Sequence, residues 1–452
     1  MRSLLPVVAL VGLAAPAVAQ GVPPVKEILL KSVAIPTVEG RGKVPELAAY
    51  YTAILKAAGY KDSDISFVPM GETGYLTATL KGRASDKPLL LLGHMDVVEA
   101  KASDWTRDPF VPVEENGYLF GRGVEDNKYD VALMIATMAR LKTEGYKPKQ
   151  DIVLVLTGDE ETTGTTSKAA AQRYKHAALA LNGDGGGGRL GDDGKAQVVA
   201  LQAGEKTYAD FIVTMTDPGG HSSTPTATNP IYRMARALGR LDAYKFPAMQ
   251  NELTRAAFTA RLAEAKGPLR DAIAAFIANP KDETAADALS AYPDIVGQLR
   301  TTCIATMIEG GHAENALPQS ATANINCRIF PGVAIADVQA KLVEVLAEPA
   351  STLSVKGDPM ASDASPLRED LMTALKGAVA KRFPGVPVVP FMEAGATDSL
   401  FFRAVGVPSY GVSGLMQKTE DRVPHGLNER VPVAGIASAE AYWLDLVKAL
   451  SR

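Results

Sequence analysis

Two uninterrupted apolar runs constrain this chain more than any other feature: "KPLLLLGHMDVV" from Lys87 and "DIVLVLTGDEE" from Asp151. A strand with one wet face alternates apolar and polar residues, whereas a continuous run reads as a strand covered on both faces. Helical spacing appears in "VPELAAYYTAILKAAGY" and "VALMIATMARLKTEGY", and "YLTATLKG" reads as a further strand. Buried strands alternating with helices predict an α/β fold with a mostly parallel sheet. In such sheets, ligands bind at the carboxyl ends of the strands. The polar residues that interrupt the apolar runs stand at those ends.

The pattern changes near Glu205. "KTYADFIVTMTD" alternates, a helix follows from about Pro230, and an Ala-rich helical stretch runs to about Gln298. Two alternating segments, "TTCIATMIEG" and "ATANINCRIF", then precede the helix "AIADVQAKLVEVLAE" and the strand "STLSVKGD". From "SPLREDLMTALKGAVAKRF" through "GVPSYGVSG" the chain returns to the first sheet. The expected organisation is a first part over 20–205, a smaller α+β module over 206–360 inserted into that domain, and a return to the first domain over 361–452. "GDGGGG" reads as a loop. The two cysteines, Cys303 and Cys327, face each other if their strands form a hairpin centred near Asn315; they are then either bonded or a pair of buried thiols.

"MRSLLPVVALVGLAAPAVAQ" carries Arg2, an apolar stretch and Ala17-Val18-Ala19, the pattern of a signal peptide over 1–19. No later run is long enough to span a bilayer, so the mature chain is expected to be soluble and secreted or periplasmic. A net charge of −4 and a pI near 5.9 give no electrostatic reason to expect nucleic acid or an anionic membrane as partner.

Five histidines are few enough to weigh singly. His94 ends an apolar run, and Asp96, two residues on, projects to the same side of an extended segment. Asp96 can therefore accept the far ring N–H and fix the His94 tautomer. Asp126 lies in "GRGVEDNK" before a helix, where an N-cap is the ordinary role. Asp184 sits in "NGDGG", where a turn aspartate is ordinary, and His425 in the punctuated loop "VPHGLNER". Together these residues and the pair Glu160–Glu161 would gather two imidazoles and several carboxylates at one sheet edge, a set that repels itself without cations. Nitrogen and oxygen donors without thiolate suit Zn²⁺, with Mn²⁺ or Co²⁺ also accommodated. Two metals sharing a bridging carboxylate use five ligands and leave one glutamate over. Adjacent side chains diverge, so one glutamate can hold a metal while the other acts as general base.

The blocks "GHMDVV", "GRGVEDNK", "GDEETTG", "NGDGG", "GGHSS", "ENALPQSATANINCRI", "GATDSLFF" and "PHGLNE" resemble, in this order, the aminoacylase and carboxypeptidase family, family twenty of the metallopeptidases. That family includes acetylornithine deacetylase, succinyl-diaminopimelate desuccinylase, carnosinase and the carboxypeptidases S and G. The resemblance implies that His94, Asp126 and Asp184 hold one Zn²⁺ and that Asp126, Glu161 and His425 hold the second. Asp126 would bridge, Glu160 would be the general base, and Asp96 would orient His94. His221 would complete the site across a homodimer interface, stabilising an oxyanion. Asn315 and Arg328 would contact substrate, Arg328 gripping a carboxylate or, as a plain alternative, forming a surface ion pair. The implied activity is hydrolysis of the amide bond of small N-acyl amino acids or short peptides with a free carboxylate. Alternatives are a dipeptidase, a hydrolase of a non-peptide amide conjugate, or a non-catalytic metal- or peptide-binding protein. The chain departs from the family at Tyr129, where a glycine is usual and a reshaped loop near the substrate is expected. It departs again in a lid enlarged by helices between about Lys245 and Gln298.

Overall fold

The computed structural model describes residues 21–361 and 363–452, so the expected signal peptide lies outside the described residues. An eight-stranded sheet runs in the order Ile65–Met70, Thr73–Leu80, Gln150–Thr157, Ala84–His94, Leu179–Leu190, Ser409–Lys418, Ala196–Glu205 and Val388–Glu393. Its centre is parallel, and Ile65–Met70 and Thr73–Leu80 close one edge antiparallel.

The continuous apolar runs are buried on both faces because their alternate residues enter different cores. Leu89, Leu91, Leu154 and Leu156 pack with helices Val44–Ala57, Lys128–Thr143 and Ile436–Leu450. Leu90, Leu92, Val153 and Val155 pack on the other side with helix Thr165–Arg173 and with Phe402. Burial of both sets fixes the register, since a one-residue slip would exchange the two faces.

A separate four-stranded antiparallel sheet has the order Thr302–Gly310, Ser320–Ile329, Thr207–Thr216, Ser351–Lys356. Helices Pro230–Ala243 and Ile335–Leu346 cover it, giving the β-α-β-β-α-β succession of a ferredoxin-like layer with its own core at Phe211, Val213, Met234, Ile325 and Leu342. Asn229 caps the first of these helices by accepting from the N–H groups of Ile231 and Tyr232. Cys303 and Cys327 are directly opposed, with Cα atoms 4.1 Å apart, and are disulfide-bonded.

Three expectations are corrected. "GDGGGG" is part of the strand Leu179–Leu190, not a loop: it pairs with Ser409–Lys418 on one side and Ala196–Glu205 on the other. Glycine is needed there because Gly185, Gly186 and Gly187 have positive φ, and a Cβ on Gly186 would meet the Gly411 carbonyl at 2.5 Å. Tyr129 does not reshape a substrate loop; it lies in helix Lys128–Thr143, fully buried in the main core. The helices Glu252–Glu264, Gly267–Ala278 and Glu283–Ser290 do not simply enlarge the lid. They form their own cluster around Phe258, Ile273 and Phe276, and Glu252–Glu264 packs against the Val388–Glu393 strand of the large sheet. Leu253 drives that contact by entering the main core. Among the described residues, no helix is long and apolar enough to cross a membrane.

Candidate metal centre

The site is built where the central strands end. His94 is the last residue of its strand and is fully buried, and its N–H donates to Asn127 Oδ1 at 3.2 Å. Its Nδ1 lies 3.1 Å from the Asp96 carbonyl oxygen, which can only accept. Nδ1 therefore carries a proton, and Nε2 points into the cluster. There Nε2 is 3.0 Å from Asp126 Oδ1 and 3.8 Å from Asp184 Oδ2.

Asp126 presents its other oxygen to the second imidazole, with Oδ2 at 3.2 Å from His425 Nε2. His425 Nε2 is in turn 2.9 Å from Glu161 Oε1. One carboxylate thus stands between two imidazoles, each with a further carboxylate beside it. The donor atoms of His94, Glu160 and Asp184 lie within 4.8 Å of one another, as do those of His94, Asp126 and Glu161. The first grouping places Glu160 on the Asp184 side of the cluster, close enough to share it.

Buried neighbours hold these groups. The Asp96 carboxylate accepts from the N–H groups of Glu160 (3.2 Å) and Glu161 (3.0 Å), so the residue that orients His94 through its carbonyl also pins the turn bearing both glutamates. Glu429 is fully buried and accepts from the N–H groups of Gly123, Glu125 and Asp126 and from Arg122 Nη1 at 2.7 Å. Arg122 Nη2 reaches the carbonyl of His425 at 3.1 Å, tying the Asp126 loop to the His425 loop. Neither Glu429 nor Asn127 emerges from the sequence as a site residue. The only signal for Glu429 is its place in the "PHGLNE" loop, and Asn127 directly follows Asp126.

The electrostatics of the cluster follow from burial and from crowded like charge. Desolvation is the largest influence on Glu160 and Asp184 and pushes both carboxyls well above their ordinary range; neighbouring acids, foremost Asp184 for Glu160 and Asp126 for Asp184, push the same way. Glu161 is raised by burial against the opposing hydrogen bond of His425. Burial would lower the His94 pKa, but hydrogen bonds to Asp126 and Asp96 hold it well above its usual value. Hydrogen bonds to Asp126 and Glu161 raise His425 to about 10. Asp126 alone moves the other way: burial would raise it, but hydrogen bonds from His425 and His94 hold its carboxyl below the ordinary range. Imidazole nitrogen and carboxylate oxygen donors at these separations, without thiolate, fit divalent zinc-like ions.

Three expected residues stand apart from this cluster. His221 is exposed in the two-stranded pairing of Gly220–His221 with Ala316–Leu317, its Nδ1 bonded to Ser223 Oγ at 2.7 Å. Asn315 is exposed and its carbonyl accepts from Ser222, which joins it to the His221 segment. Arg328 lies half-buried with its guanidinium 4.7 Å from the centroid of the Tyr208 ring, and it makes no ion pair among the described residues. Within one chain, none of the three is bonded to the cluster.

A family model described as Peptidase family M20/M25/M40 matches residues 90–449, which spans every member of the cluster. The chain belongs to that family. As an M20 chain it is a hydrolase of the metallopeptidase class. It is 26% identical over 440 residues to the human N-fatty-acyl-amino acid synthase/hydrolase PM20D1, covering 94% of this chain and 87% of that protein. Carboxypeptidase S of Saccharomyces cerevisiae is 25% identical over 422 residues, covering 82% and 73% of the two chains. The fold is shared with an M20 family metallo-carboxypeptidase, Sso-CP2 from Sulfolobus solfataricus, at a TM-score of 0.71 and 18% identity over 95% of this chain and 99% of that one.

Proposed function

We propose that this M20 chain is an exported dinuclear zinc hydrolase that cleaves the amide bond of N-acyl amino acids or short peptides bearing a free carboxylate. The observation that carries the reading is Asp126, with one oxygen toward His94 and the other toward His425, and Glu160 beside them. His94, Asp126 and Asp184 would hold one ion and Asp126, Glu161 and His425 the other, with Co²⁺ or Mn²⁺ as workable substitutes. Two ions held there would supply Lewis acidity toward the scissile carbonyl and toward the attacking water.

Glu160 receives the proton of that water and delivers it to the departing amine. Asp96 keeps its backbone in place. Arg328 and Asn315, on the lid over 206–360, take the substrate carboxylate, and the lid closes over the bound molecule. His221 of a second copy stabilises the oxyanion. A homodimer through the edge strand Thr302–Gly310 would supply it and would cover the exposed Ile304, Met307 and Ile308. Nucleic acid and membrane have no part in this reading. Glu160 disfavours a non-catalytic binding protein, because binding alone needs no base.

The experiment is hydrolysis of a panel of N-acyl amino acids and dipeptides by the purified chain, before and after chelation and zinc replacement. Release of a free amino acid that chelation abolishes and zinc restores is expected. Turnover that survives complete removal of metal contradicts the proposal.

A further inference from the structure

We infer that Thr302, backed by Lys206, is a further substrate-binding residue of the lid, its hydroxyl donating to the free carboxylate that Arg328 grips. The inference rests on the amide-hydrolase reading above.

The residues concerned share one face of the four-stranded lid sheet. Side chains two apart in a strand point the same way. On the strand Thr207–Thr216, Phe211, Val213 and Met215 enter the core beneath the lid helices, so Tyr208 and Asp210 project from the opposite face. On the strand Ser320–Ile329, Ile325 and Cys327 enter that core, and Arg328 projects on the side of Tyr208. Thr302 stands directly opposite Arg328, and Arg328 directly opposite Tyr208. A hydroxyl, a guanidinium and a phenol therefore form a row across three strands on the helix-free face.

Lys206 comes two residues before Tyr208, and its Nζ donates to Thr302 Oγ1 at 3.3 Å. Its stem crosses the intervening strand to reach that hydroxyl, two strand spacings or about 10 Å away. Thr302 accepts from the ammonium, so its own hydrogen is turned away from Lys206. Among the described residues that hydrogen is given to no protein acceptor.

A buried cation ordinarily has a carboxylate beside it. Lys206 is fully buried, yet the acids around it are engaged elsewhere. Glu205, the preceding residue, pairs with Arg403 at 2.7 Å and accepts from Thr397 and Gln202. Asp210 accepts from Asn324, Asn326 and Tyr208. Glu393 accepts from the N–H groups of Ala394 and Gly395 and faces Arg422 at 4.0 Å. Arg328 has no ion pair among the described residues. Two cations thus meet at the root of the lid with no anion bonded to either.

This root adjoins the metal centre. The Lys206 N–H donates to the Glu393 carbonyl at 3.1 Å, and Glu393 lies in the wall of the cavity that contains Asp126 and Asp184. The row of donors therefore opens beside the space where the amide is cleaved. A carboxylate seated on Thr302 and Arg328 supplies the missing negative charge, which a neutral carboxamide does not. Burial first, and the charge of Arg328 second, bring the Lys206 pKa to about 7. A bound carboxylate favours the ammonium form, so its affinity should fall as pH rises above that value, by up to about tenfold per unit.

The test uses matched pairs, each N-acyl amino acid or dipeptide of the panel beside its C-terminal carboxamide. Kinetics are measured on the zinc-loaded chain, and affinity by calorimetry on zinc-loaded Glu160→Gln. Thr302→Val and Lys206→Met should each lower the carboxylate-to-carboxamide ratio of kcat/KM by about 10- to 100-fold, through KM rather than kcat. Thr302→Ser should restore it. In the original chain the ratio should fall from pH 7 to pH 9, and in Lys206→Met it should be flat, which a merely structural lysine would not produce. Both substitutions nearly conserve volume, and the two act on different strands, which guards against one variant misfolding.

Ratios within about threefold of the original in both variants would overturn the inference; zinc-dependent turnover in the same experiment would leave the hydrolase reading standing. A loss confined to Thr302→Val would overturn the part given to Lys206. Binding that discriminates the pairs through both residues, with no turnover of any member, would support the inference and overturn the hydrolase reading. If no member binds or is turned over, both fall.

Discussion

Replacing Glu429 by alanine tests how far the metal centre depends on a residue that faces no metal. Its carboxylate takes four donors: the N–H groups of Gly123, Glu125 and Asp126, and Arg122 Nη1. Arg122 is 3% exposed, so truncation leaves a buried guanidinium with the His425 carbonyl as its remaining hydrogen-bond acceptor. Removing one partner of a buried ion pair costs about 3–5 kcal/mol. The three N–H groups lose their acceptor as well, but these losses overlap because they share one carboxylate. A total near ~4 kcal/mol is expected, together with a fall in metal affinity of roughly 10- to 100-fold, since both the Asp126 and His425 loops slacken. Urea unfolding of the metal-free chain reads the first quantity, and zinc competition against a chelator the second. Glu429→Gln, which keeps an acceptor oxygen but loses the charge, should fall between. A Glu429→Ala chain within about 1 kcal/mol of the original and with unchanged zinc affinity would refute this dependence.

Asp96→Ala removes the acceptor for the Glu160 and Glu161 N–H groups, and its zinc affinity should fall by about 10- to 100-fold; unchanged affinity would show that the turn holds itself. Lys206 is fully buried with one side-chain hydrogen bond, at 3.3 Å to Thr302, and burial, then the charge of Arg328, brings its pKa from 10.5 to about 7. Between those values the unfolded chain binds the extra proton, so the lysine makes stability rise with pH across that window. In Lys206→Met the rise should shrink by a few kcal/mol, at ~1.4 kcal/mol for each pH unit the window spans. Parallel pH profiles of the urea midpoints would contradict this.

The sheet was readable because Leu89 to Leu92 have no polar alternate, a pattern that suits a strand covered on both sides. His94 and the glutamate pair were readable because they interrupt that pattern at its carboxyl end. The ferredoxin-like layer followed from a change of period after Glu205. What stayed hidden depends on partners distant in sequence. "GDGGGG" has the composition of a loop, yet strands on both sides hold it extended. Tyr129 was read by its neighbour Asp126, whereas the helix turns it into the core. Glu429 lies 303 residues from Asp126, a separation that local spacing cannot bridge. The docking of Glu252–Glu264 on the large sheet depends on Leu253, one apolar residue among many in an Ala-rich stretch.

A base working beside a two-ion centre is tested most simply by the turnover of Glu160→Gln, measured alongside its zinc content. The expected result is a kcat lower by about 10²–10⁴-fold with two zinc ions per chain retained, because the amide keeps the shape and removes the proton acceptor. Turnover within a few fold of the original at full zinc occupancy would contradict it, and proton transfer would then have to be assigned to another group.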